Sequence, residues 1–382
     1  MTLKNIFIQL YFFLSYLLGF GQTLPYTTVA PLPEDLTECS GMARIGSNAL
    51  ALINDSGNAP ELFVVDTTGQ LLQRLTLPEL QNVDWEALAV ADSVLFIGDF
   101  GNNANKRKDL MIYRLDISAL LTEGQYQVLE PIQLRYANQK AFPPHPSELN
   151  FDMEAMVAYR DSLYLFSKNR TQPFDGYTYA YVLPQSAGTY QLNPYCSMKM
   201  GNGIMPSYWI TGATYAPEKR QLALLGYDKL WIIKNSAGSC LLEGQVAVYY
   251  FNQVSQKEAL SWVGNQLYWA DENNGPQSGN LYKTKAGWQA PKDRGYTVKL
   301  QEKTILNDTA QFEIELEKAM KLQWEVFSME GKRNPVGNQA FEAGTHTLAI
   351  DLSGLPPGTF VINLILNGQP NAYFIKKVYR QP

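Results

Sequence analysis

Carboxylate residues occupy matching positions in a segment that recurs along the chain. Aligning the five copies places Gly41, Glu86, Glu154, Gly212 and Glu258 at one position, and Asp55, Asp99, Lys168, Tyr227 and Asp271 at a second. Carboxylates brought together repel one another unless a cation or a proton compensates their charge. Their hard oxygen atoms suit Ca²⁺, which binds about six to eight oxygens. We therefore predict a calcium site with these ligands: Glu86, Glu154, Glu258, Asp99, Asp271 and Asp55.

A second interpretation of the same residues needs no metal ion. Acidic side chains at the start of each repeat can accept hydrogen bonds from backbone N–H groups of the neighbouring repeat, which would tie the repeats together. Both interpretations fit the residue types, and different repeats can follow different ones. The sequence leaves this choice open.

The recurring segment predicts the fold that must position these residues. Its copies begin at Ser40, Trp85, Met153, Thr211 and Lys257, and each holds two short apolar runs joined by a polar turn. Strand-only repeats of roughly 40–50 residues are typical of β-propellers, in which equivalent residues meet at one axis. We predict an all-β protein with a five-bladed β-propeller over residues 22–290. A degenerate sixth blade is the alternative, because the third repeat is long and follows a Pro-rich insertion, Ala137–Asn150.

Two strands outside the regular pattern have specific predicted places. The fifth repeat lacks a clear fourth strand, and Thr23–Val29, ahead of the first repeat, is expected to supply it and remove an open sheet edge. Tyr190–Met198 is predicted as the fourth strand of the third repeat.

The termini predict export and a second domain. An apolar run of about 15 residues, Ile6–Phe20, is short for a membrane span of roughly 20 and fits a signal peptide over residues 1–21, with a membrane anchor as the alternative. No later stretch of the sequence suits a transmembrane helix. Short predicted strands with turn signals such as Gly337-Asn338 indicate a small β-sandwich over residues 297–382.

The composition argues against nucleic acid as a partner, and it does not decide which cysteines form a disulfide. The chain of 382 residues has a net charge of −5 and no basic block suited to a nucleic-acid backbone. Cys39, Cys196 and Cys240 allow one disulfide in an exported protein, with no pairing favoured over another.

Other candidates for chemistry are few. His145, in the Pro-rich insertion, is a weak candidate for catalysis, and no G-x-S-x-G element is present. Arg107, Lys168 and Arg170 follow the polar clusters and suit an anionic group, but the simpler expectation is that they are exposed loop charges.

Two parts of the chain resemble known families. Ile350-Asp351-Leu352-Ser353-Gly354-Leu355, followed by Lys376-Lys377-Val378, resembles the C-terminal (Por) sorting domain of the type nine secretion system, although the usual Asn-Pro dipeptide near the domain start is absent. Asp84-Trp85-Glu86 and Gly98-Asp99-Phe100-Gly101 resemble secreted propellers of the SdiA-regulated or phytase-esterase-like group. The first resemblance implies contact with that secretion machinery and a secreted or cell-surface location in a Gram-negative bacterium. The second gives weak guidance about activity.

Two functions of different classes follow. The first is an exported propeller that binds a small molecule, glycan or protein at its channel mouth or loop face, with a structural calcium ion. The alternative is a calcium-dependent hydrolase of phosphoesters, esters or lactones, in which the ion would polarise the substrate and activate water.

Overall fold

A computed structural model describes residues 22–201, 203–234, 240–275, 277–289, 296–301, 304–305, 308–328, 333–366 and 369–378. The predicted signal peptide, residues 1–21, lies outside these ranges. The described chain is all-β apart from a single helical turn, α1 (Leu120–Glu123), and 3-10 turns at Pro146–Glu148, Met205–Tyr208 and Pro217–Lys219. It forms two compact units, one over Gln22–Ala290 and one within Pro291–Pro382. No helix in the described ranges is long and apolar enough to span a membrane.

The strands of the first unit are short and follow the repeats. In chain order they are β1 (Gln22–Thr23), β2 (Tyr26–Pro31), β3 (Cys39–Arg44), β4 (Ala49–Asn54), β5 (Glu61–Asp66), β6 (Leu71–Thr76), β7 (Trp85–Ala91), β8 (Val94–Asp99), β9 (Met111–Asp116), β10 (Gln127–Tyr136), β11 (Met153–Tyr159), β12 (Ser162–Ser167), β13 (Tyr177–Pro184), β14 (Gly188–Leu192), β15 (Pro194–Lys199), β16 (Gly212–Ala216), β17 (Gln221–Leu225), β18 (Lys229–Lys234), β19 (Gln245–Tyr250), β20 (Lys257–Val263), β21 (Gln266–Asp271) and β22 (Asn280–Thr284).

These strands form five sheets in the described part of the first unit. Their orders are β3-β4-β5-β6, β7-β8-β9-β10-β14, β11-β12-β13-β15, β16-β17-β18-β19-β1 and β20-β21-β22-β2. The first strands of successive sheets contact one another, and β20 of the last sheet also contacts β3 of the first. The result is a propeller-like all-β architecture that brings the starts of all five repeats together.

Apolar layers between the sheets hold this arrangement together. Each of five buried clusters joins two successive sheets, and one of them joins the fifth sheet to the first through Met42, Leu52, Tyr268 and Leu281. Because both faces of these sheets are covered, their second strands, such as β4 and β8, are buried along nearly their whole length instead of alternating between buried and exposed residues.

The prediction for Thr23–Val29 is correct from Tyr26 onward. β2 lies antiparallel to β22 and supplies the fourth strand of the fifth sheet, whereas Thr23, in β1, pairs in parallel with β19 of the fourth sheet. This pairing covers an edge that would otherwise be open to association with other chains.

The prediction that Tyr190–Met198 forms the fourth strand of the third repeat is correct only for its second half. The structure divides this segment into β14, which pairs in parallel with β10 of the preceding sheet, and β15, which pairs with β13 of its own sheet. The division falls at Asn193-Pro194, where proline lacks an N–H for the ladder and restricts the residue before it. The insertion Ala137–Asn150 contains a 3-10 turn and no strand.

A disulfide links the third and fourth sheets. Cys196 on β15 bonds to Cys240, which precedes β19, with the two Cα atoms 6.4 Å apart. Cys39 is a free, buried thiol. The structure thus pairs Cys196 with Cys240 in the one disulfide that the three cysteines allow.

The second unit consists of two sheets around a shared core. Its strands are β23 (Tyr296–Leu300), β24 (Thr304–Ile305), β25 (Thr309–Leu316), β26 (Met320–Ser328), β27 (Arg333–Phe341), β28 (Gly344–Asp351), β29 (Gly358–Leu366) and β30 (Gln369–Lys377). The sheet orders are β23-β25-β28 and β24-β30-β29-β26-β27. One apolar cluster contains residues of both sheets, including Phe312 and Ile362.

The turn predicted at Gly337-Asn338 is wrong. Gly337 lies within β27, and a Cβ at this position would overlap the ring of Trp324 on β26. The glycine therefore provides room for an aromatic side chain on the neighbouring strand instead of a change of direction.

Candidate functional site

A β-bulge places the repeated acidic residues. In the first, second, third and fifth sheets, the second residue of the first strand has no cross-strand partner, while the residues on either side of it pair. These unpaired residues are Ser40, Glu86, Glu154 and Glu258. A bulge turns a side chain away from its regular alternation, and here it acts at the same place in four repeats.

The strand pairing corrects the first alignment of the repeats. Gly41 pairs with Ile53 in the way that Ala87 pairs with Gly98, so Gly41 matches Ala87 and not Glu86. The residue equivalent to Glu86 in the first sheet is Ser40. In the fourth sheet, Thr211 directly precedes β16, and no bulge is present there.

Hydroxyl groups link neighbouring sheets at these positions. Ser40 Oγ donates to the carbonyl oxygen of Trp85 at 2.7 Å, and Thr211 Oγ1 donates to the carbonyl oxygen of Lys257 at 2.5 Å. Each acceptor belongs to the residue just before a bulged glutamate. From the sequence, acidic residues were the candidates for linking neighbouring repeats. In these two places a serine and a threonine form the link instead.

The second aligned position mixes two sets of residues. Asp99 and Asp271 pair across the strands with Trp85 and Lys257, whereas Asp55 lies one residue beyond the corresponding pair. A shift of one residue sends a side chain to the opposite face of a strand. By this register, the residues equivalent to Asp55 are Phe100, Lys168, Tyr227 and Glu272.

Asp99 and Asp271 accordingly bind nearby loops. Asp99 Oδ1 accepts a hydrogen bond from the backbone N–H of Asp84 at 3.0 Å and lies 2.9 Å from an Arg107 guanidinium nitrogen. Asp271 accepts hydrogen bonds from the backbone N–H of Asn280 and the hydroxyl of Tyr282. Neither aspartate belongs to the carboxylate groups described next.

Glu86, Glu154 and Glu258 meet, as the alignment of the repeats predicts. One carboxylate oxygen of each lies within 4.8 Å of the others. All three residues are at most 4% exposed. The contact between the first strands of different sheets therefore brings together acids that are far apart in sequence.

A lysine neutralises two of the three glutamates. Lys168 Nζ lies 2.9 Å from Glu154 Oε2 and 3.6 Å from Glu258 Oε1. The hydroxyl of Tyr227 donates to Glu258 Oε1 at 2.9 Å. Burial alone would lower the pKa of Lys168, but Glu154 and Glu258 hold it well above its usual value.

The expectation that Lys168 and Arg170 are exposed loop charges is wrong. The Lys168 side chain is 6% exposed, and that of Arg170 is 20% exposed and pairs with Asp152. Both cations lie over the ring of Trp209, which faces this group. Arg107 is also largely covered, since it pairs with Asp99 and donates to the carbonyl oxygen of Gly101.

Glu86 belongs to a second carboxylate group, in which no acid forms an ion pair among the described residues. Asp55, Asp84 and Glu86 each place a carboxylate oxygen within 4.8 Å of the other two. The nearest cations act on this group from further away: the charge of Lys168 lowers the pKa of Glu86, and that of Arg107 lowers the pKa of Asp84, without reversing the effect of burial. Burial raises the pKa of Glu86 well above its usual value, and the charges of Glu154 and Asp55 raise it further.

Burial and nearby negative charges also raise the pKa values of the two aspartates of this group. Burial raises the pKa of Asp55 to about 7, against a hydrogen bond from the backbone N–H of Ser56. Burial also raises the pKa of Asp84, with a further contribution from Asp152. On the other side of the glutamates, burial and Glu258 raise the pKa of Glu272 to about 9. Negative charge thus exceeds positive charge around Glu86.

Gly101 leaves space for this group. A Cβ on Gly101 would lie 2.5 Å from Asp84 Cγ and 2.6 Å from Glu86 Oε1. The backbone of the loop after β8 therefore packs directly on two carboxylates, which only glycine permits.

Asp84, Glu272 and Gly101 are residues of this site that were not predicted from the sequence. Asp84 stands two residues before Glu86 in the chain. That spacing was visible in the sequence. Glu272 was hidden by the one-residue error in register, and the role of Gly101 depends on a contact between loops.

His145 is placed outside these groups. It is exposed, and its Nδ1 lies 2.8 Å from Ser147 Oγ at the start of a 3-10 turn. This contact gives the histidine a local structural role.

Comparison with known proteins gives little further information. No family model and no curated protein matches the chain. A solved structure of a protein from Lactobacillus plantarum aligns over 82% of this chain and 88% of its own, with 10% identity and a TM-score of 0.31. This is a remote likeness.

Proposed function

We propose that the first unit is a five-bladed β-propeller that binds Ca²⁺ through Asp55, Asp84 and Glu86, and that the calcium-bound end of the channel binds a small molecule, glycan or protein. The observation that carries the proposal is the Glu86 carboxylate, which is 2% exposed and surrounded by acids without a cation of its own. A buried carboxylate in this position needs a proton or a cation, because desolvation and repulsion both oppose its charge.

The ligand atoms favour calcium over softer metals. Both carboxylate groups offer only oxygen atoms from aspartate and glutamate. Hard oxygen ligands suit Ca²⁺ or Mg²⁺, whereas zinc and copper favour histidine and cysteine. Calcium tolerates irregular coordination and can complete its shell with water, so three carboxylates at one side are a suitable start.

The proposed calcium ligands, Asp55, Asp84 and Glu86, differ from the six that the sequence predicts. Glu154 and Glu258 share Lys168, so they line the site next to Glu86 without carrying the main charge of the ion. Asp99 and Asp271 have their own partners in the loops. Asp84 joins the set in their place.

Calcium titration tests this proposal directly. Isothermal calorimetry should show binding of Ca²⁺ to the intact protein, and millimolar Ca²⁺ should raise the melting temperature. Asp84→Asn should weaken binding at least about tenfold, because one of three charged ligands is lost. Gly101→Ala should also weaken binding, since the new methyl group overlaps Asp84 and Glu86.

Two variants serve as matched controls. Glu130→Gln removes an exposed carboxylate elsewhere in the same unit, and Gly275→Ala adds a methyl group where no atom lies within 4 Å. Both should bind Ca²⁺ like the unaltered protein. Absence of any heat or melting shift with millimolar Ca²⁺ would refute the calcium site.

The alternative function, a calcium-dependent hydrolase, rests on the same three carboxylates, Asp55, Asp84 and Glu86. The ion that they hold would polarise the substrate and activate a water molecule. Chromogenic phosphate and carboxylate esters should then be cleaved in the presence of Ca²⁺, and Asp55→Asn should abolish turnover. Binding of Ca²⁺ without turnover of either ester class would favour the ligand-binding function.

Export to the cell surface is part of the proposal. The Cys196–Cys240 disulfide supports it, since disulfides persist in oxidising compartments. Residues 1–21 would be the signal peptide, and residues 297–382 the secretion-sorting domain recognised by the type nine machinery of a Gram-negative bacterium. Mass spectrometry of the exported protein should find an N-terminus at Gln22; an intact N-terminal segment would contradict cleavage.

A further inference from the structure

A cavity of about 460 Å³ lies beside the second sheet, away from the carboxylate groups. Its walls come from the loop that carries Arg107 and Lys108, from the end of β10, and from the start of the Pro-rich insertion. Leu110 and Leu134 provide buried apolar surface, and Phe142, which is 39% exposed, provides an open aromatic face. The cavity therefore combines an apolar floor with a polar rim.

The charged residues that line this cavity are all cations. They are Arg107, Lys108, Arg135 and Lys140, and no aspartate or glutamate lines it. The whole chain has a net charge of −5, so a wholly cationic cavity departs from its average surface. Such a concentration of positive charge attracts and orients anions.

Three of the four cations have no acidic partner within the described residues. The Lys108 ammonium lies 4.8 Å from the centroid of the Phe142 ring, Arg135 donates to Gln191 Oε1, and Lys140 Nζ donates to the carbonyl oxygen of Ala137. These neutral contacts hold the side chains at the cavity without cancelling their charge. Arg107 differs, because Asp99 and Asp109 already pair with it.

Tyr136 also lines this wall and is 4% exposed. Its hydroxyl is fully covered and has no hydrogen-bond partner among the described residues, so it is not among the groups that a ligand in the cavity would contact.

The geometry points to a binding site for a small organic anion: a phosphate or carboxylate group that meets Lys108, Arg135 and Lys140, attached to a planar apolar ring that packs on Phe142. Guanidinium and ammonium groups form charge-assisted hydrogen bonds with both kinds of anion. A volume of about 460 Å³ falls in the range of small-molecule sites and exceeds the need of a bare inorganic ion. This site is separate from the proposed calcium ligands and does not depend on them.

Ligand-observed NMR and calorimetry with simple probes test the site on the full chain. Phenyl phosphate and phenylacetate distinguish the two anion types, and phenol is the neutral control. We expect at least one of the two anions to bind with a millimolar or tighter dissociation constant, more weakly at high salt, and phenol to bind more weakly. The result should be the same with Ca²⁺ and with chelator, so failure here is distinct from failure of the calcium proposal.

Exposed lysines provide the matched variants. The double variant Lys108→Gln/Lys140→Gln should weaken anion binding at least about tenfold, because two charge-assisted contacts are lost. Lys106→Gln removes an exposed lysine of the same loop that does not line the cavity, and it should leave binding unchanged. The inference is overturned if neither anion binds at millimolar concentration, if phenol binds as well, or if the double variant binds like Lys106→Gln.

Discussion

The calcium-free protein should lose stability as the pH rises from about 5 to about 9, and Glu86→Gln should remove part of this loss. The pKa of Asp55 rises from 3.8 to about 7 in the folded protein, and that of Glu272 from 4.5 to about 9. Between the unfolded and folded values, the folded state binds more protons than the unfolded state. Its free energy of unfolding therefore falls with rising pH in this window.

Glu86 contributes to the same effect, because burial and neighbouring acids raise its own pKa well above the usual value. Its replacement by glutamine keeps the shape of the side chain, removes a buried charge and adds donors for neighbouring carboxylates. At about pH 8 in chelator, we expect the variant to be more stable than the unaltered protein by roughly 1–3 kcal/mol. Added Ca²⁺ should stabilise the unaltered protein more at high pH, when protons no longer compete, and should have little effect on the variant.

Chemical denaturation at several pH values measures both effects, with Glu130→Gln as the exposed control. A free energy of unfolding that rises between about pH 5 and pH 9 in chelator would contradict the description of the carboxylate group. So would a Glu86→Gln protein that is less stable than the unaltered protein at high pH.

Replacing Lys168 by methionine should be strongly destabilising at neutral pH and above. The ammonium group is the shared partner of Glu154 and Glu258, and methionine keeps the length of the side chain without its charge. Removal of one partner from a buried ion pair leaves uncompensated charge and costs about 3–5 kcal/mol. The raised pKa of Lys168 keeps the lysine charged throughout the neutral range, so its stabilisation is fully present there.

The cost of Lys168→Met should shrink in acid. Burial and nearby acids raise the pKa of Glu154 well above its usual value, so this partner becomes protonated as the pH falls. The double variant Lys168→Met/Glu154→Gln should recover part of the lost stability at about pH 8, because it removes a charge that has lost its closer partner and keeps only Arg170, at 3.6 Å. Lys106→Met, at an exposed lysine, is the control. Equal losses for Lys168→Met at low and high pH, with no recovery in the double variant, would indicate a packing role for Lys168 instead.

The repeat of the sequence was sufficient to predict a propeller-like all-β unit and the meeting of Glu86, Glu154 and Glu258. Repeats made of strands must bury their faces against one another, so equivalent residues of different repeats come close. The same reasoning located residues 26–29, ahead of the first repeat, in the fifth sheet, because an array of this kind leaves one edge to cover; it did not predict that Thr23 joins the fourth sheet.

Register and charge pairing were decided only by the tertiary structure. Asp55 and Asp99 differ by one residue of register, and the bulges that set this register are not evident in the sequence. Sequence spacing also gave no sign that Lys168 would be buried between two glutamates while Glu86 kept no cation, since that depends on contacts between separate sheets. The sequence by itself determined that Glu86, Glu154 and Glu258 meet; the three-dimensional packing decided which other residues join them and which carboxylates have a cation as an ion-pair partner.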